Sequence, residues 1–258
     1  MNTEYPDRRN MEKLDGWLVL DGYEDEPAAF GVPNYVGFHI RYICGVLEER
    51  GIEYTYMTVD QWRSLFKSEL STHEGRKNVR EQMRELDGAI LLAGAVVPGK
   101  YIRGTPISRG ETDSFLSSIP SRIPVICGGW AIRHWRQSGW VSPRSNLFCS
   151  LKDTDATLNH FLSTGKMSHK KRSPDEWSRW AMKGASSKAV VEHPDLLSPN
   201  GSHGPLTYEV ELYQGCVRFK RGCKFCIEPK KGLPLWREED DAVCLLYTSP
   251  SPRDTIRS

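Results

Sequence analysis

Six residues separate Cys216 from Cys223 and two separate Cys223 from Cys226 in the segment GCVRFKRGCKFC. Three thiolates this close suit an iron-sulfur cluster in which one iron lacks a protein ligand and stays open to a substrate or second cofactor. Arg218, Lys220, Arg221 and Lys224 surround them, and cationic neighbours favour thiolate over thiol and offset a cluster's negative charge. Gly215 and Gly222 allow the backbone to wrap closely around such a group. Two other readings use the same residues. A structural zinc site takes four protein ligands, and the fourth would have to be a distant histidine such as His203, in the Gly-Ser-Pro stretch SPNGSHGP, or Cys244. The three thiols could also carry no metal. Seven cysteines, an odd number without the even spacing of a secreted disulfide framework, fit a reducing compartment.

A second group of candidates follows from the organisation of the first half. From about Trp17 to Gly165 short apolar runs alternate with amphipathic stretches, the α/β signature. Strands are expected at WLVLD ending at Asp21, EYTYMTV ending at Val59, GAILLAG ending at Gly94, IPVICGG ending at Gly129 and NLFCSL ending at Leu151. Between the first two a helix is capped by Asn34, repeats Ile40, Ile43, Cys44 and Leu47 on one face, and stops at Gly51. Further helices are expected around Arg76 to Glu85, Glu111 to Ile119 and Asp153 to Leu162. The result is a doubly wound parallel sheet, whose ligands bind outside the carboxyl ends of the strands where the order reverses. Asp21, Gly22, Asp60, Gly94 to Lys100 with Gly99, Gly128 and Gly129 stand at those ends. Turns between strand and helix need glycine anyway, so these glycines have a purely structural reading too.

The stretch GAVVPGKY has the glycine and lysine spacing of a phosphate-binding loop, but Tyr101 replaces the magnesium-binding Ser or Thr. Gly104 and Pro106 then oppose the helix that should receive the phosphate. Nucleotide hydrolysis is not expected.

The elements that must carry the cysteines come later. Residues 166–206, with HKKRSP, GASSKAV and SPNGSHGP, read as a linker. Within it PDEWSRWAMK could form a short helix begun by Pro174 and Asp175, its Trp177 and Trp180 packing on a neighbouring domain. The run Thr207 to Tyr213 then alternates Tyr208, Val210 and Leu212 on one face with Glu209 and Glu211 on the other, so a strand delivers Cys216. At 258 residues, 38% apolar and 26% charged, the chain can bury a real core. Its net charge of +2 says nothing for or against a nucleic-acid partner. No run of eighteen apolar residues and no basic-then-apolar leader is present, so a cytoplasmic chain without a membrane span is expected.

ELYQGCVRFKRGCKFCIEP resembles the cluster-binding segment of the radical S-adenosylmethionine (radical SAM) superfamily, including the aromatic Phe225 before the last cysteine. The resemblance implies that Cys216, Cys223 and Cys226 hold three irons of a 4Fe-4S cluster, that SAM chelates the fourth, and that the backbone at Phe225 contacts adenine. An electron donor is implied, and cleavage of SAM would yield a 5'-deoxyadenosyl radical. The commonest spacing in the superfamily is shorter between the first two cysteines; longer gaps occur in some branches. LDGYEDEPAAFGVPNY and VVPGKYIRGTPIS resemble an uncharacterised, largely archaeal radical SAM family. That family joins a cobalamin-binding-like Rossmann domain to a radical SAM barrel and a carboxyl-terminal helix-hairpin-helix. Cobalamin, if bound here, would lack the usual histidine ligand, because no Asp-x-His-x-x-Gly occurs.

The implied division is a Rossmann-like domain at 1–165, a linker at 166–206, the start of a radical SAM barrel at 207–243, and a tail at 244–258. A barrel of this kind takes about 250 residues, and 32 follow Cys226. The tail VCLLYTSPSPRDTIRS resembles translated sequencing-adapter read-through. The expectation is thus a truncated, inactive fragment of an enzyme with unknown substrate. A nucleic-acid-binding or RNA-modifying protein with a structural metal site is the alternative, on the strength of Arg218, Lys220, Arg221, Lys224, Lys230 and Lys231.

Overall fold

The computed structural model describes residues 14–23, 35–69, 71–94, 106–142, 144, 146–191, 207–208, 210–223 and 231–248. Five parallel strands form the main sheet: β1 (Trp17–Gly22), β3 (Tyr54–Thr58), β4 (Gly88–Ala93), β5 (Val125–Gly128) and β6 (Leu147–Cys149), in the order β3-β1-β4-β5-β6. A parallel sheet covered on both faces needs strands that are apolar throughout. WLVLDG of β1 and GAILLA of β4 are buried along their whole length. Alternate residues then sort to opposite faces: Leu18, Leu20, Ala89, Leu91 and Cys127 join one core, and Val19, Ile90, Leu92 and Ile126 the other.

The first core is closed by α2 (Val59–Ser68), α3 (His73–Arg84), α4 (Arg109–Ser118) and α5 (Trp130–Gln137). The second is closed by α1 (Phe38–Arg50), α6 (Thr154–Thr164), α7 (Pro174–Gly184) and α8 (Lys188–Val191). Helices on both sides of a parallel sheet make this a Rossmann-like α/β fold. The five expected strands and the expected helices at α1, α3, α4 and α6 are present, with shifted ends. Helices α2, α5 and α8 are not anticipated by the sequence. Helix α2 begins inside the run read as strand, because Thr58 accepts from the Gln61 amide while the Gln61 side chain accepts from the Thr58 amide, a capping box. Helix α5 follows directly on Gly129.

Helix α1 stops at Gly51 in the left-handed conformation, as expected, and Cys44 lies in the core. Its amino-terminal flank is Gly37, and Asn34, the expected cap, lies outside the described residues. Asp153 precedes α6 but does not cap it; its carboxylate accepts the Arg172 amide instead, at 2.8 Å.

Composition read residues 166–206 as a linker, yet 174–191 are folded against the sheet's helices. Ser173 and Glu176 form a capping box with Pro174 in the first turn of α7. Trp177 and Trp180 are buried against α1, and Trp180 Nε1 donates to Glu49 at 2.7 Å. The crossing is close because both helices present glycine: a Cβ on Gly45 would overlap the Trp180 carbonyl, and one on Gly184 the Arg41 carbonyl.

Short pairings complete the description. Strands β2 (Tyr35–Val36) and β7 (Thr207–Tyr208) are parallel; β8 (Tyr213–Gln214) and β9 (Leu235–Trp236) are antiparallel. Helix α9 (Glu239–Thr248) runs without a break through residue 244, where the foreign tail was expected to begin, and Leu245 is buried in the second core. Among the described residues, no helix is long and apolar enough to cross a membrane.

Candidate functional site

The strand order reverses between β1 and β4, so the switch point at which sheets of this kind take ligands falls at the ends Asp21–Gly22 and Ala93–Gly94. Asp21 is buried there. Its carboxylate accepts from the Tyr23 amide and the Tyr56 hydroxyl, each at 2.9 Å. Burial pushes its pKa up to about 6, against the opposing pull of those two donors. Tyr23 itself has φ +58°, an uncommon conformation for a residue with a side chain. Its hydroxyl donates to Asp60 in the first turn of α2 at 2.9 Å. Arg63 continues the chain of contacts, pairing with Asp60 at 2.8 Å and with Glu111 of α4 at 2.7 Å. The Arg63 hydrogen bond holds the Glu111 carboxyl down at about 2. These contacts tie the described ends of the segments beyond β1 and β4 to α2 and α4, and Arg63, Glu111 and Tyr23 had not been singled out. Their signal was present only in the capping boxes that start those two helices, Thr58 with Gln61 and Ser108 with Glu111.

The glycines at these ends lie against the protein's own atoms. A Cβ on Gly22 would overlap the Leu92 carbonyl, one on Gly94 the Tyr23 carbonyl, and one on Gly128 the Thr154 side chain. Gly129, at φ +97°, would meet the Ala93 carbonyl, so the end of β4 fixes the turn from β5 into α5. Gly99 and the rest of the phosphate-loop-like stretch after Gly94 lie outside the described residues.

The second site is the cysteine loop. Strand β8 and Gly215, at φ +88°, deliver Cys216, which is half-buried. Its amide donates to the Gly232 carbonyl at 2.9 Å, tying the loop's entry to its exit. The Phe219 amide returns to the Cys216 carbonyl at 3.0 Å, and the Arg218 amide donates to Cys216 Sγ at 3.3 Å. Cys223 is exposed. Phe225 and Cys226 lie outside the described residues, as does His203. Among the described residues no three His, Cys, Asp or Glu side chains converge as a metal site. Cys244 lies exposed on α9, and Arg218, Lys220 and Arg221 are also exposed.

The alternation expected from Thr207 to Tyr213 does not hold as one strand. Among the described residues the run carries two short strands, β7 and β8, and Glu211 is 6% exposed while Leu212 is 44% exposed. Glu211 turns inward because Tyr42, Trp177 and basic side chains receive it.

No protein-family model and no solved structure matches this chain. It is 31% identical over 240 residues to an uncharacterised protein of Methanocaldococcus jannaschii, across 88% of this chain and 40% of that protein. It is 29% identical over 223 residues to an uncharacterised protein of Archaeoglobus fulgidus, across 86% of this chain and 36% of that protein. The chain thus spans less than half the length of the curated relatives it matches.

Proposed function

We propose that this chain carries the cluster-binding entrance of a radical SAM enzyme, joined to a Rossmann-like domain. The observation that carries the reading is the Cys216, Cys223 and Cys226 spacing, with Cys216 one glycine after β8 and its sulfur accepting the Arg218 amide. Amide bonds to sulfur are among the means by which proteins tune cluster potentials, so the local backbone suits a thiolate ligand. Cys216, Cys223 and Cys226 would hold a 4Fe-4S cluster. Bound there with SAM, such a cluster would supply the one-electron chemistry of reductive carbon-sulfur cleavage. The chain's own part is to present the thiolates and, at Phe225, a backbone edge to adenine.

The Rossmann-like domain would offer Asp21 and the turns at Gly22, Gly94, Gly99, Gly128 and Gly129 to a ligand. The described turns fit cobalamin poorly: protein atoms fill the space beside Gly22, Gly94, Gly128 and Gly129, and no histidine of the usual motif is present. No step is assigned to it.

Anaerobic reconstitution with iron and sulfide tests the proposal. The parent chain should take up a cluster, and the Cys216→Ala/Cys223→Ala/Cys226→Ala variant should lose it; equal iron and sulfide in both would sink the assignment. The exposure of Arg218, Lys220 and Arg221 favours a second reading, contact with an RNA backbone. That reading requires affinity for single-stranded RNA that falls steeply with salt.

A further inference from the structure

Charged side chains are buried together beneath the stem of the cysteine loop. The Glu211, Arg172 and Asp155 side chains are each 3–4% exposed. Glu211 Oε2 accepts from Trp177 Nε1 at 3.0 Å and from the Tyr42 hydroxyl at 3.2 Å. Arg237 donates from Nε to the Glu211 carbonyl at 3.0 Å and from Nη2 to the Tyr42 oxygen at 3.2 Å, and its guanidinium lies 4.1 Å over the Trp177 ring. Arg172 pairs with Asp155 at 2.6 Å, stands 3.9 Å from Glu211 Oε2, and stacks over Tyr42 at 4.5 Å. Lys231 Nζ lies 3.6 Å from Glu211 Oε1.

The partners divide by origin. Tyr42 belongs to α1 and Trp177 to α7, whereas Glu211 precedes Cys216 and Lys231 and Arg237 follow Cys226. Both arms of the loop therefore close on one point of the Rossmann-like unit. They also close on each other, through Arg237 amide to Leu212 carbonyl at 2.9 Å and Cys216 amide to Gly232 carbonyl. Taking such charges out of water costs several kcal/mol per ion before any pairing. A loop that merely crossed the surface would keep them hydrated, so the cluster is a specific joint whose geometry is fixed by directional bonds. Burial pushes the Tyr42 hydroxyl well above its ordinary range, so it stays a donor to Glu211.

We propose that Glu211, held by Tyr42 and Trp177, is a positioning residue for Cys216: it seats the stem of the cysteine loop on α1 and α7. The positioning of a cluster rests on the radical SAM reading; the seating of the loop does not. Hydrogen exchange on the full chain tests the seating, with Tyr42→Phe as the mild variant and Glu211→Gln as the stronger one. The Cys216 and Arg237 amides should exchange at least about tenfold faster in Tyr42→Phe, which removes the buried bond to Glu211 together with those that the Tyr42 oxygen accepts from Arg237 and Trp177, and faster still in Glu211→Gln. Amides of β1 and β4 should be unchanged. Unaltered stem amides, or an equal rise throughout the chain, would overturn the seating. In iron-sulfide-reconstituted protein, Glu211→Gln should keep the parent's iron content and alter the electron paramagnetic resonance spectrum of the reduced cluster. A spectrum identical to the parent's overturns the positioning role. Failure of the parent chain to take up iron overturns that role together with the cluster reading, and exchange still decides the seating.

Discussion

Replacing Asp21 by asparagine should stabilise the protein at neutral pH, and by an amount that depends on pH in a defined way. The folded carboxyl titrates at about 6 against an ordinary value of 3.8, and each pKa unit is worth about 1.4 kcal/mol. Below about pH 3 the group is protonated in both folded and unfolded chains, and its stabilising proton is fully present. Between pH 4 and 6 the unfolded chain gives up the proton while the folded one keeps it, so stability falls by up to about 1.4 kcal/mol per pH unit. Above pH 6 both forms are ionised and a constant loss of about 3 kcal/mol remains. Asparagine does not titrate, and it can still accept from the Tyr23 amide and donate to the Tyr56 oxygen. The stability of Asp21→Asn minus that of the parent should therefore rise by about 3 kcal/mol from pH 3 to pH 7. Urea unfolding followed by the fluorescence of the 8 tryptophans measures both proteins at each pH, and other titrating groups cancel in the difference. A difference that stays flat within about 0.5 kcal/mol across that range refutes the argument, since it means that Asp21 is hydrated in the folded chain.

The glycine crossing of α1 and α7 predicts that Gly184→Ala costs about 1–3 kcal/mol through overlap with the Arg41 carbonyl; an unshifted urea midpoint would count against so close a contact. Glu111→Gln should cost under about 1 kcal/mol at pH 7, because the Arg63 pair is partly exposed and water screens it. Since the folded pKa of Glu111 is depressed to about 2, its contribution is present above the ordinary carboxylate range and fades as pH falls toward 2. Glu111→Gln and parent should then converge in acid, and a gap that persists at pH 2 would contradict the ion pair.

The sheet was legible because its strands are apolar along their length, as in WLVLD and GAILL, and because Gly51 announces the end of α1. Helix α2 was hidden because the Thr58–Gln61 box sits at the end of a β-branched run, where propensity and cap signal disagree. Helix α7 was half visible: its tryptophans and Pro174 were read correctly, while the Ser, Gly and Lys around them made the segment look like a spacer. Glu211 was misplaced for a different reason. Period-two alternation assumes that glutamate faces water, and nothing near Glu211 in sequence reveals that Tyr42 and Trp177 wait for it. The three cysteines could be read as a cluster motif from spacing alone, but the buried contacts around Glu211 join residues that only the fold brings together.

The position of α7 has a consequence for how the chain is made. Helix α1 is synthesised early, yet Tyr42 meets Trp177 across 135 residues and Glu211 across 169. Contacts so distant along the chain close slowly, because loop entropy must be overcome before any burial repays it. On the ribosome, α1 and the β-strand beside it would therefore wait with one apolar side uncovered until residues near 191 emerge. A gene fragment cut at residue 165 would freeze that intermediate, leaving bare the surface that α7 and α8 are there to close.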